Sequence, residues 1–380
     1  MTANRRVVLA FYVYSPGAHR GIMEYSRPRR WFLECYGLPN TEISVRRHPD
    51  GMITTLGPDP RLRQLVEQGG CPVVDLTRNE PDLGVDRVVV DDGKTGESAA
   101  GYFVHRRYRR YLFFARRNDP AAREQFAGFR RVAADSVPGA EINAFYLDSQ
   151  ENGPGAEPSV AARIREIVGS LSPRLGALGA FCNDDMLGAQ VVEACLAAGI
   201  AVPSDVAVLG CGDDDLVCDS LPVTLSSIDT GHQRLGRLAA RRLDALMGGA
   251  AWERRTLSVP PLGIVDRVST NHFAVSRPDV AEALRYIVRS FRDPEMDVLH
   301  VAGHVQVSKT SLTRAFREEL GHGIAEEIRH TRLEHAKLLL RRGMGVGKAC
   351  RQSGFANDAS FRKAFRRSTG LAPSEYAAMP

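Results

Sequence analysis

The last eighty residues carry one segment twice. Leu312, Ala315, Phe316 and Gly321 recur as Phe361, Ala364, Phe365 and Gly370, each forty-nine residues later. In both copies apolar residues fall at i, i+3 and i+4, the period of a helix with one buried face. Basic residues take the opposite face: Lys309, Arg314 and Arg317 in the first copy, Arg362, Lys363, Arg366 and Arg367 in the second. A glycine closes each copy, a residue that stops helices well. The pattern predicts two short basic helices at fixed separation, which suits neighbouring stretches of a polyanion. The alternative is a solvated basic face on a purely structural bundle, and the doubling disfavours it.

The charge follows the repeat. Residues 301–380 hold 14 Lys and Arg against 7 Asp and Glu, whereas residues 1–300 hold 36 against 38. The net charge of +5 therefore arises in the duplicated region, where a nucleic-acid footprint needs it. At 380 residues two or three domains are expected. The seven cysteines are scattered and form no CxxC pair, which predicts reduced, mostly buried thiols in the cytoplasm rather than a disulfide framework or a zinc site. Val7–Tyr14 is apolar for only eight residues and reads as a first core strand, not a signal peptide. No apolar run reaches membrane-spanning length, so no membrane partner is expected.

Through residue 265 short β-rich runs alternate with helical stretches. Strands are expected at Val7–Tyr14, Gly51–Leu56, Pro72–Leu76, Val88–Val90, Tyr111–Ala115, Ala177–Cys182 and Val206–Gly210. Helices are expected at Arg20–Arg27, Arg61–Gln68, Thr95–Arg107, Ala121–Ala134, Leu187–Ala198 and Gln233–Met247, with a loop over Gln150–Pro158. This alternation implies α/β architecture with parallel sheets covered on both faces. Ser269–Pro278 lacks periodicity and reads as a linker. Beyond it only helices are expected: Val280–Phe291, Asp297–His304, Lys309–Leu320, Ile324–Arg341, Val346–Gln352 and Asp358–Ser368. The domains are thus 1–274 (α/β) and 275–380 (all-α).

Val298–His304 followed by Ser308–Leu320 has the layout of a helix-turn-helix unit, whose second helix enters the major groove. Ser308 is a suitable N-cap. Val346–Gln352, the turn Ser353-Gly354-Phe355 and a helix capped by Asn357 or Asp358 form a second unit. With Ile324–Arg341 as a rigid spacer, two reading helices can enter successive major grooves roughly 34 Å apart.

Particular words in this region resemble the AraC/XylS family. Arg332-Leu333-Glu334 with Ala336-Lys337-Leu338-Leu339 is similar to its linker-helix signature. Ser353-Gly354-Phe355, Ser360-Phe361, Ala364-Phe365 and Gly370-Leu371-Ala372-Pro373-Ser374-Glu375-Tyr376 are similar to its second-unit signature. Arg351-Gln352 departs from it, because the family is usually more apolar there. The resemblance implies an operator of double-stranded DNA. By position, base-edge contacts fall to Thr310, Ser311, Thr313 and Arg314 in the first reader, and to Asp358, Ala359, Ser360, Arg362 and Lys363 in the second. Arg grips guanine bidentately, while Ser and Thr take several bases. Arg317, Arg366 and Arg367 fall to phosphates, which position without specifying.

The first 270 residues resemble the LacI/GalR effector domain. The carrying words are Phe181-Cys182-Asn183-Asp184-Asp185, Gly199–Gly210, Leu225-Ser226-Ser227-Ile228-Asp229, Gly236-Arg237-Leu238-Ala239-Ala240, and Arg123 to Gly128-Phe129. The DNA reader expected at the front of that family is here expected at the other end, a combination similar to XylR-like regulators. The resemblance implies a two-lobed, periplasmic-binding-protein-like (type I) sensor, and a monosaccharide effector such as xylose in place of any cofactor. It also implies a homodimer, contact with RNA polymerase, and activation of a catabolic operon. Sugar would close the cleft between the lobes and reorient the subunits. Rivals are the same build sensing a non-pentose metabolite or acting as a repressor, and an enzyme fused to a DNA tether.

Ligands of parallel sheets sit at strand carboxyl ends, and carboxylates there suit sugar hydroxyls. By spacing to the next helix Asp185 best matches the family's ligand carboxylate, with Asp184 beside it; a helix N-cap is the competing role. Asp213 stands where XylR-like sequences carry an amide, with a solvated acidic turn as its competing role. Gly212 replaces an aspartate, and Thr55-Leu56 an acidic–aromatic pair. Arg123 and an aromatic, Tyr14 or Tyr12, complete the expected pocket.

Other signals carry little. Gly93-Lys94-Thr95 lacks the preceding glycine of a phosphate loop, since residue 88 is valine. His300 and His304 have i, i+4 spacing but no further ligand nearby, so no metal is expected. No GxSxG elbow is present and no nucleophile stands beside Asp184-Asp185, so no catalytic residues are expected.

Overall fold

The computed structural model describes residues 5–37, 49–147, 159–171, 176–251 and 253–378. The chain divides into two compact units and passes between them after Asp92, Asp229 and Pro261. The loop expected over Gln150–Pro158 lies outside the described residues.

The first unit is built on six parallel strands in the order β11-β5-β4-β3-β1-β2. These are β1 (Arg6–Phe11), β2 (Phe32–Gly37), β3 (Gly51–Thr55), β4 (Val73–Asp75), β5 (Asp86–Val90) and β11 (Thr256–Val259). Central β1 and β3 are buried almost throughout, Thr54 and Thr55 included, because both sheet faces are covered. α1 (Pro16–Ser26) and α8 (His232–Met247) lie together on one face with Leu235, Ala239 and Leu243 turned into the core. Their crossing depends on glycine: a Cβ at Gly21 would stand 1.8 Å from the Gln233 carbonyl oxygen, and one at Gly236 2.0 Å from that of Ala18. α2 (Pro60–Gln68) covers the other face through Leu62 and Val66. β1 stops at Phe11, three residues short of the expected end, because Ser15 caps α1 and the chain must turn before it.

The second unit holds the sheet β12-β10-β9-β8-β6-β7. Its strands are β6 (Arg110–Arg116), β7 (Glu141–Leu147), β8 (Leu178–Cys182), β9 (Val206–Cys211), β10 (Ser226–Asp229) and β12 (Gly263–Val265). All pairs are parallel except β12 on β10. α3 (Asp92–His105) and α4 (Pro120–Ser136) cover one face over an aromatic cluster of Phe103, Tyr108, Tyr111, Phe113, Phe129 and Phe181. α5 (Val160–Gly169) and α6 (Asp185–Ala197) cover the other. A four-residue helix, α7 (Asp215–Cys218), follows β9.

The same unit continues into seven helices: α9 (Pro278–Ser290), α10 (Val298–Val305), α11 (Lys309–Leu320), α12 (Ile324–Arg341), α13 (Val346–Gln352), α14 (Asp358–Thr369) and α15 (Pro373–Ala378). They enclose two cores. Phe291, Val301, Leu312, Ala315 and Phe316 centre the first, and Cys350, Phe355, Phe361, Phe365 and Tyr376 the second. α12 serves both, giving Ile324 and Ile328 to the first and Leu333, Ala336, Leu339 and Leu340 to the second. The segment read as a linker is packed rather than loose. Val268–Thr270 form a 3-10 turn, the Ser269 hydroxyl donates to the Val208 carbonyl at 2.6 Å, and Phe273 enters the first helical core.

Candidate DNA interface and effector site

In α11 the apolar period buries Leu312, Ala315, Phe316 and Leu320. That leaves Thr310, Arg314 and Arg317 exposed, with Ser311 and Thr313 half-buried at the edge of the same face. The Ser308 hydroxyl accepts from Ser311 N at 3.2 Å and starts the helix; Gly321 ends it in the left-handed region at φ 78°. In α14 only Phe361 and Phe365 are buried, so Asp358, Ala359, Ser360, Arg362, Lys363, Arg366 and Arg367 all face outward. Asn357, not Asp358, is its cap, and accepts from Ser360 N at 2.8 Å. Each reader is therefore a capped helix on a packed core with its whole polar face open. Arg351 and Gln352 are exposed on α13, which accounts for polar residues there.

The spacer is tied to the first head as well as to the second. Arg332 on α12 donates to the carbonyls of Phe291 (2.9 Å), Asp293 (2.7 Å) and Met296 (3.2 Å), which closes the turn between α9 and α10. Gly354 sits against the same turn at φ 74°, where a Cβ would meet Phe291 O at 2.0 Å.

Of the expected effector residues in the second unit, Asp184 and Asp185 follow β8 and Asp213 follows β9, while Arg123 lies on α4. Asp184 caps α6, accepting from Leu187 N at 2.7 Å, and its other oxygen lies 3.2 Å from Arg116 Nε. Asn183 Nδ2 donates to Asp119 at 2.6 Å, while Asn183 Oδ1 is buried and finds no donor among the described residues. Asp185 turns inward and is 5 % exposed. It accepts from Ser227 Oγ at 2.6 Å and from Asp214 N at 2.8 Å, and burial pushes its carboxyl up to about 6. Its neighbour Gly210 has no room for a side chain, since a Cβ would stand 2.3 Å from Asp185 Oδ1. Asp213 adopts a left-handed backbone at φ 55° and pairs with Arg267 and Arg342. Burial raises its carboxyl above the usual range against the pull of both arginines. Arg123 is exposed in the first turn of α4. In the first unit Tyr12 and Tyr14 are exposed just beyond β1, and the Tyr14 hydroxyl lies 2.9 Å from His19 Nδ1.

A periplasmic binding protein-like domain model matches residues 100–270, and a helix-turn-helix domain model matches residues 301–379. The xylose operon regulatory protein of Escherichia coli (strain K12) is 23% identical over 335 residues, spanning 86% of this chain and 83% of that protein. The arabinose operon regulatory protein of the same strain is 35% identical over 100 residues, spanning 26% of this chain and 34% of that protein. A solved structure of the xylose-binding transcription activator xylR aligns over 99% of this chain and 98% of that one, with TM-score 0.60 and 22% identity. The chain is a transcription regulator, similar over most of its length to a xylose operon regulatory protein. It joins an AraC-type helix-turn-helix reader to a periplasmic-binding-protein-like sensor.

Among the described residues of the regulator no cluster of His, Cys, Asp and Glu fits a metal ion, and no helix is long and apolar enough to cross a membrane. His300 pairs with Asp297, and His304 with Glu282 while stacking on Tyr286. Sequence reasoning did not single out Arg116, Asp119, Asn183, Ser227, Arg267 or Arg342. Asn183 stands inside the word that carried the sensor resemblance, and its place directly after a buried strand was the available signal. Arg267 and Arg342 offered none, because their partners are distant in sequence.

Proposed function

We propose that the regulator is a cytoplasmic, sugar-responsive activator of a catabolic operon. A monosaccharide, xylose or a close relative, binds at the strand ends occupied by Asn183 and Asp184. The observation that carries this reading is the polar set Arg116, Asp119, Asn183 and Asp184, which includes one buried amide oxygen with an acceptor site to spare. An ionised carboxylate and an amide oxygen side by side accept from two neighbouring hydroxyls, which is what a sugar ring presents. The similar E. coli protein is a xylose operon regulator, which points the same way. Arg123 is assigned to the rim of the site, and Asp185 to its support.

The sensor is placed at residues 1–274 and the reader at 275–380. Base contacts are assigned to Thr310, Ser311, Thr313, Arg314, Asp358, Ala359, Ser360, Arg362 and Lys363, and phosphate contacts to Arg317, Arg366 and Arg367. The working form is a homodimer that contacts RNA polymerase, needs no cofactor and performs no catalysis. Isothermal titration of the full chain with D-xylose, L-arabinose, D-ribose and D-glucose tests the reading. Saturable binding of one sugar, recovered chemically unchanged, is the expected result; no heat from any of them would remove sugar as the effector class.

A further inference from the structure

Arg342 caps the carboxyl end of α12, the helix that feeds both reading heads, yet it lies on neither reading helix. Its guanidinium reaches back to the sensor sheet. Nη2 pairs with Asp213 and Nε lies 2.6 Å from Asp229. Both carboxylates are largely shielded, at 11% and 13% side-chain exposure. Such geometry matters because a fork bound to two partly buried carboxylates holds direction as well as distance.

Asp213 is itself held from behind. Its backbone N donates to Ser227 Oγ at 3.0 Å, Ser227 Oγ donates to Asp185, and Asp185 accepts from Asp214 N. Arg267 takes the other Asp213 oxygen at 3.0 Å and anchors on Asp219 at 2.6 Å. Gly212 takes its φ of 129° freely as a glycine, and Asp213 follows it in the left-handed region at φ 55°, which is uncommon for a residue with a side chain. Hydrogen bonds and ion pairs thus run unbroken from the start of α6, through the loop after β9, to the end of α12. Next to them Leu338 of α12 packs on Gly263 of β12, so the helix also rests on the sheet.

We propose that the Asp213–Arg342–Asp229 cluster is the link through which the sensor sheet sets the orientation of α12, and with it both DNA-reading helices. Asp213 serves this link instead of holding effector. The inference rests on the chain's reading of DNA and needs no particular effector.

The test is fluorescence anisotropy of the full-length protein, without sugar and at one fixed salt concentration. The probe is a duplex that the wild-type protein enriches from a random-sequence library. The variants are Asp213→Asn, Arg342→Gln, the double variant, and Arg329→Gln, which removes one exposed cation from the same helix. Electrostatics alone predicts opposite effects: losing the cation weakens binding to a polyanion, and losing the anion strengthens it. A shared link predicts that both single variants move Kd in the same direction. The expected shift is about threefold or more, a coupling of the size seen between linked sites, and the double variant does no more than either single one. Arg342→Lys keeps the charge but cannot bridge both carboxylates, so it should fall between wild type and Arg342→Gln. This comparison decides the matter even if Asp213→Asn fails to fold. Opposite directions, additive effects, no change in either single variant, or an Arg342→Gln effect equal to that of Arg329→Gln would each overturn the proposal.

Discussion

Glu327 Oε2 lies 2.7 Å from His322 Nε2, and the other nitrogen of that ring faces the Leu320 carbonyl at 3.1 Å. Only the doubly protonated imidazole donates to both acceptors. Glu327 is 1% exposed, and its second oxygen lies 2.9 Å from His105 Nε2 on α3, whose ring is tilted against that of His330 with the centroids 4.2 Å apart. The hydrogen bond to Glu327 holds His322 above the usual imidazole range. Despite burial, the two histidines hold the Glu327 carboxyl well below the usual carboxylate range.

This pair predicts a pH window. A raised histidine contributes stability that is complete below about pH 6.5 and fades as pH climbs through its folded value. A depressed glutamate contributes stability that is complete above about pH 4.3 and fades as pH falls through its folded value. The contribution therefore peaks between those limits. Thermal unfolding of wild type and His322→Gln should differ most near pH 5.5–6 and converge by about pH 8.5. A gap independent of pH would show that His322 is neutral in the fold. Burial holds His330 low, which works against folding in acid, but it is common to both proteins and cancels in the difference.

Base and phosphate contacts separate by their signatures on DNA. Arg314→Ala should relax preference at one operator position, at a cost of roughly 1–3 kcal/mol. Arg317→Ala should weaken all duplexes alike and lower the salt slope by about 1. Competition binding over a salt series checks both, and an unchanged preferred sequence in Arg314→Ala would move that residue to the phosphates.

At Asp184 the cap and the proposed effector contact can be dissected. Asn caps helices as well as Asp does, so Asp184→Asn should leave thermal stability close to wild type while lowering sugar affinity at least about tenfold, the loss of one charge-assisted hydrogen bond. Asp184→Ala should lose about 1 kcal/mol of stability in addition. Calorimetric titration together with melting curves distinguishes the two roles; full sugar affinity in Asp184→Asn would confine the residue to capping.

Phe361 is fully buried and packs on Phe355 and Phe365 at ring separations of 5.0 and 5.5 Å. Phe361→Ala should destabilise the second reading head by about 3–5 kcal/mol. Sugar binding should be retained while DNA affinity collapses, because none of Arg116, Asp119, Asn183 and Asp184 belongs to the core that is lost.

The legible parts of the fold are those where several local signals agree. α11, α12 and α13 run between the residues expected, because apolar period, caps and terminal glycines all point to the same limits. β11 and β12 are four and three residues long and show no period that distinguishes them from loop. The candidate site was half legible. Carboxylates after buried strands stand out in the chain, but which way each turns depends on neighbours such as Gly210, whose missing side chain makes room for Asp185. Arg342 was invisible for the same reason, its partners being 113 and 129 positions away.

Because one continuous helix belongs to the cores of both heads, the regulator measures DNA as a ruler does. Neither head can swivel to follow a displaced half-site without tearing Ile328 or Leu333 from its packing. One extra base pair between the half-sites would turn the second by roughly 35° about the duplex axis. Operators for this protein should therefore drift in base sequence far more readily than in length.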